Sequence, residues 1–170
     1  MTYQAVPQHA TAVRARSVSR EVTLPDFAVR FAGAVLALAV ATVHVADQGG
    51  ITALNSPSWI GWGYRLIEAG GILTALVLLL PGTALPGPVR FGQVRLGPAG
   101  LGPASLGWAA GVLLGTGPFL GYIASRTVGV PGDPGDVGNW GYWVGTVSLL
   151  VEAALVMLSV SMLAAFRSRR

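Results

Sequence analysis

Residues 140–166 read WGYWVGTVSLLVEAALVMLSVSMLAAF, and Glu152 is the single charge among them. A helix needs about 20 mainly apolar residues to cross the hydrocarbon core of a bilayer, and this stretch exceeds that. A carboxylate inside such a segment costs about 3 kcal/mol on insertion scales, so it belongs against other helices rather than against lipid. Glu152 follows Gly141 by eleven residues. At a helical rise of about 1.5 Å per residue this places it near the middle of a span.

Three further stretches satisfy the same criterion, at 27–46, 60–80 and 104–124. The four together predict an all-α, integral membrane four-helix bundle. Composition agrees: of 170 residues, 52% are hydrophobic and 11% charged, whereas soluble domains carry about a quarter charged residues. The length suits one domain. The absence of cysteine excludes disulfides, thiolate nucleophiles and cysteine-based metal or iron–sulfur sites. The first span is not read as a cleaved signal peptide, because His44 stands where the nearest candidate cleavage site needs a small residue.

All eleven basic residues are arginine, and their placement gives a direction. Arg14, Arg16, Arg20 and Arg30 precede or enter the first span, Arg90 and Arg95 lie between the second and third, and Arg167, Arg169 and Arg170 follow the fourth. The connection after the first span has no basic residue, and the one after the third has Arg126 beside Asp133 and Asp136. By the positive-inside rule both termini and the middle linker are cytoplasmic (N-in/C-in), with the chain in the cell membrane. Trp59, Trp62, Trp140 and Trp143 then fall at the outer boundary, where indole rings favour the headgroup region. Residues 1–26 read as a disordered basic arm, each arginine worth about 1 kcal/mol of attraction to anionic lipid. Residues 81–103, rich in Pro and Gly, read as an irregular linker, and 167–170 as a basic tail. The basic charge is thus explained by topology, which leaves nucleic-acid binding without support.

Small residues recur at helical spacing in every span, as in the GxxxG pairs Gly111–Gly115 and Gly117–Gly121, and are read as packing positions. Gly61, Gly71, Gly145 and Ser148 are expected to bring the second and fourth helices together. The ionisable residues gather in the outer half. Arg65 stands one turn from Glu68 and can pair with it. His44 ends the first span and Arg126 the third. A polar outer pocket closed by a dry plug below Glu152 follows, with Arg126, Arg65, Glu68 and Glu152 in one network and His44 at its edge. The candidate ligand-binding residues are His44, Arg65, Glu68, Tyr122, Arg126, Trp140 and Glu152. The segment VPGDPGDVGN is expected to turn over the mouth, with Asp133 and Asp136 as solvated turn residues and Trp140 restarting the helix.

The segment GYIASRTVGVPG, followed by DVGNWG and a helix with a buried Glu, resembles small uncharacterised four-helix membrane proteins of high-GC bacteria. The matching residues are His44, Glu68, Ser125, Arg126, Thr127, Gly129, Pro131 and Glu152. The resemblance implies the same fold and the same site residues.

Three functions compete. The first is a membrane binding or accessory module whose outward-facing pocket takes a small molecule or ion, with the bilayer, a protein partner or a second copy as neighbours. The second is a structural subunit whose charges form a satisfied ion-pair network fixing helix register. The third is a membrane enzyme, with His44, Glu68 and Glu152 as a metal set or Glu152 as a base. No catalytic triad, phosphate loop, dinucleotide fingerprint or paired haem histidines is present, and no cofactor is implied. The balance favours a binding module over an enzyme.

Overall fold

The computed structural model describes residues 24–51, 58–80, 90–91, 94–95 and 103–168. The basic arm up to residue 23, most of the linker and the last two arginines lie outside them. Four helices carry the chain: α1 (Leu24–Asp47), α2 (Ser58–Leu79), α3 (Pro103–Thr127) and α4 (Trp143–Ser168). Each is long and apolar enough to cross a membrane. Within the linker, expected to be irregular, β1 (Arg90–Phe91) pairs antiparallel with β2 (Val94–Arg95), Arg90 opposite Arg95.

The helix ends follow from local chemistry. Gly49, at φ 86°, closes α1. The Gly50 N–H donates to the Val45 carbonyl at 2.8 Å and the Gly49 N–H to the Ala46 carbonyl at 3.1 Å. These are the paired bonds of a Schellman cap, which needs a left-handed residue at the stop. Gly129, at φ 79°, ends α3 by donating to the Ala124 carbonyl at 3.0 Å. A short 3-10 turn, Pro134–Asp136, follows. The fourth helix begins at Trp143 and not, as the sequence reading has it, at Trp140. The Trp140 N–H donates to the Gly138 carbonyl two residues back, a closure tighter than any helix and unable to propagate one.

The helices form a ring in chain order: α1 packs on α2 and α4, and α3 on α4 and α2. The second and fourth helices make no contact among the described residues, which corrects the expected packing through Gly61, Gly71, Gly145 and Ser148. A Cβ on Gly71 would meet the Ala37 carbonyl of α1 at 2.7 Å, one on Gly145 would strike the Tyr122 ring of α3, and Gly61 faces open space. Gly71 and Gly145 thus serve the adjacent pairs α1–α2 and α3–α4, and the diagonal contact that does form is α1 with α3.

The core is narrow and lies towards the end away from the α1–α2 and α3–α4 connections. Trp108 of α3 is fully buried there with Leu78, against Ala34 and Ala37. A Cβ on Gly33 would stand 2.6 Å from the Trp108 ring, so this glycine is what admits the indole. The outer surface is apolar, with Leu66 and Leu113 more than 70% exposed. Such a chain presents its large hydrophobic side chains outward, the reverse of a water-soluble bundle.

Candidate functional site

The polar residues gather at the end of the bundle that carries the α1–α2 and α3–α4 connections, here the top. They form three separate pairs, in place of the single network expected from sequence.

The first pair joins α1 and α4. The His44 Nδ1 lies 2.9 Å from the Val40 carbonyl, one turn back. A carbonyl can only accept, so Nδ1 carries the proton and Nε2 faces Glu152 Oε1 at 3.6 Å. Glu152 is fully buried, and Ser148, one turn above it, donates to the same oxygen. The second pair is Arg65 with Glu68 on α2, at 2.8 Å. Arg65 also donates to the Ile51 carbonyl, and the Gln48 side chain donates to Glu68. The third pair is Arg126 with Asp136. Arg126 is 5% exposed, and its guanidinium lies over the Tyr122 ring, 4.6 Å from the centroid.

Asp136, expected as a solvated turn residue, is therefore an ion-pair partner: the 3-10 turn carries it back onto the end of α3. Trp140 packs edge-on against Tyr122 with centroids 6.2 Å apart. Glu68 bonds Gln48 and Arg65, and among the described residues no ion pair joins it to His44. Among the described residues no group of three His, Asp or Glu could hold a metal, so the set His44, Glu68 and Glu152 does not assemble.

Sequence reasoning missed three participants. Tyr64 donates to Asp47 and so ties α2 to the end of α1. Tyr142, in the connection before α4, stands close enough to Asp47 to feel it; burial first, and that carboxylate second, hold its hydroxyl above its ordinary value. Gln48 is buried one residue beyond α1. A tyrosine one turn inside a span, facing an aspartate at a span end, was the available signal for the first. Nothing in the sequence marks Gln48.

Between α2 and α3 runs a groove of about 810 Å³. His44, Asp47, Tyr64, Tyr122, Arg126 and Asp136 stand at its top. Below them its walls are apolar, from Ile67 and Leu73 down to Val77 on α2, and from Leu114 to Leu106 on α3. Of the seven residues expected to bind a ligand, His44, Tyr122 and Arg126 line this groove, while Arg65, Glu68, Trp140 and Glu152 do not. Leu66, Leu73, Leu106 and Leu113 line the groove and are exposed, so it opens sideways along the helices and descends past the level of Glu152, in place of the expected pocket open to the outside above a dry plug.

Glycine makes the cleft wide. A Cβ on Gly63, Gly117 or Gly121 would meet nothing within 4 Å, whereas one on Gly115 would stand 2.8 Å from the Glu152 carbonyl. The pair Gly117–Gly121 thus borders the groove and does not pack a helix, contrary to the expectation for both GxxxG pairs. Pro118 lies between them and lines the groove with Leu114. Having no N–H, it gives that carbonyl no intrahelical donor.

No family model matches this chain, and no curated protein or solved structure matches it.

Proposed function

We propose that this chain is a multi-pass protein of the bacterial inner membrane, with both termini cytoplasmic, that holds a small ligand in the α2–α3 groove, with the polar end of the groove towards the outer face. The orientation rests on the arginine distribution. The binding role rests on one observation: the groove joins apolar walls to a few polar groups gathered at one end. Ligand sites in general are apolar clefts of about 300–1,000 Å³ with a small number of placed polar groups. The glycines that face its open space support the same reading.

The experiment is native mass spectrometry of the full chain extracted in mild detergent, as wild type and as Gly117→Phe. The wild type is expected to carry a discrete bound molecule. The variant, whose ring enters open space, is expected to fold and to lack it. Retention of nothing by the wild type, or equal retention by both, overturns the binding role.

A structural subunit is the second reading, favoured by the Arg65–Glu68 and Arg126–Asp136 pairs, each matched in charge. Under it, substitutions at the pairs change stability, and Gly117→Phe changes nothing.

A further inference from the structure

We infer that the groove takes a zwitterionic phospholipid, with its ammonium among the aspartates at the top, its phosphate at Arg126 and one acyl chain along α2 and α3. The inference rests on the groove being a binding site, as proposed above, and adds the chemical class of the occupant.

The charges at the mouth argue for a cation. Asp47, Asp133 and Asp136 line it against the one arginine, Arg126. Asp136 is matched by Arg126. Asp47 accepts from Tyr64, an uncharged donor that orients the carboxylate without neutralising it. Two carboxylates are therefore left for a ligand. Trp59, Tyr64 and Tyr122 stand beside them at the same end of the groove. Carboxylates among aromatic rings suit an ammonium group, which gains both from the charge and from the ring quadrupoles.

Arg126 argues for an anionic oxygen beside that cation. It is 5% exposed, and its Nε–H has no acceptor among the described residues although Nη1 is engaged by Asp136. A buried donor on a charged group is costly to leave unmade, and a phosphate oxygen forms a charge-assisted bond with it. A phosphate alone would meet the aspartates as a like charge. An ammonium alone would leave Nε unmatched. A headgroup carrying both satisfies both.

The rest of the groove suits a tail. From Tyr64 to Val77 it follows α2 for thirteen residues, about 20 Å at the helical rise. That exceeds half of the about 30 Å hydrocarbon core, so the extended chain of an outer-leaflet lipid fits within its length. Its walls are apolar, and the lateral opening lets a lipid enter from the bilayer without passing through water.

The test uses the full chain in dodecyl maltoside, whose headgroup is an uncharged sugar. Phosphatidylethanolamine and phosphatidylglycerol with the same acyl chains are titrated separately, with native mass spectrometry and thermal unfolding as readouts. Phosphatidylethanolamine is expected to saturate at a concentration about tenfold lower. Asp133→Asn removes a mouth charge that makes no side-chain hydrogen bond among the described residues, and should bring the two lipids to within about threefold of each other. Gly117→Phe should abolish retention of both. Equal affinity for the two lipids in the wild type overturns the phospholipid headgroup assignment; if Gly117→Phe still abolishes both, the groove remains a binding site. Retention of a different molecule with neither lipid bound also overturns the inference and leaves the binding role standing. Retention of nothing at all overturns both.

Discussion

Arg126 is the residue on which the top of the bundle turns. Its guanidinium is held between the Tyr122 ring and the Asp136 carboxylate, and the Gly138 N–H donates to its main-chain carbonyl at 2.9 Å. The two partners in the ion pair differ in exposure, 5% for the arginine side chain and 34% for the aspartate. Removing the exposed partner strands the buried one. Asp136→Asn should therefore lower stability by about 3 kcal/mol, since an uncompensated buried charge is the costly product. Arg126→Met leaves a carboxylate that water reaches and should cost less. The double variant should be non-additive, because the two share one interaction. Thermal unfolding of the three variants in detergent checks this. The combination of Arg126→Met with Glu152→Gln should be additive, because these residues share no partner. Measurable coupling between them would restore the single network that the sequence suggests.

At the scale of the helix, glycine has two different jobs, and they make opposite predictions. Gly115 is buried where α3 crosses α4. A Cβ there would stand 2.7 Å from Val156 and 2.8 Å from the Glu152 carbonyl, so Gly115→Ala forces backbone apart. Overpacking of this kind costs about 1–3 kcal/mol, and the melting temperature should fall. Gly117, two residues on, faces open space. Gly117→Ala should leave stability unchanged or raise it by about 0.5–1 kcal/mol, the propensity difference between the two residues in a helix. A comparable loss at both positions would mean that the α2–α3 face is closed in the membrane. Gly145→Leu should also destabilise, and through Tyr122 on α3. Combined with Tyr122→Ala, which makes room for the larger side chain, it should recover part of the loss.

For the molecule as a whole the proposed topology has a direct readout, because the chain contains no cysteine. Gly135→Cys, in the α3–α4 connection, should react with an impermeant thiol reagent added outside intact cells. Ser168→Cys, at the end of α4, should react only after the membrane is opened. The reverse pattern would invert the protein and place the groove mouth on the cytoplasmic side.

Much of this architecture is legible in the residues themselves. Four apolar runs, each too long and too uncharged for a soluble helix, state the number of helices and roughly where they lie, because length and transfer free energy are local properties of a segment. The pairing of Arg65 with Glu68 was legible for the same reason, as one turn of helix fixes their separation. The burial of Glu152 followed from the cost of facing a carboxylate to lipid. Which helices touch was not legible. Small residues mark a close approach without naming the partner, so Gly71 and Gly145 suited a contact between α2 and α4 as well as the contacts they make. Nor was the partner of Arg126. Asp136 lies ten residues away through a turn whose path depends on left-handed glycines at 129, 132 and 138, and the sequence ranked the carboxylates within the spans above it. Only the tertiary structure decided that Gly117 and Gly121 border a cleft while Gly111 and Gly115 close a joint. The four share one helix and one residue type, and what separates them is the direction each faces in the ring. That direction is set by the packing of all four helices together, and no single segment carries it.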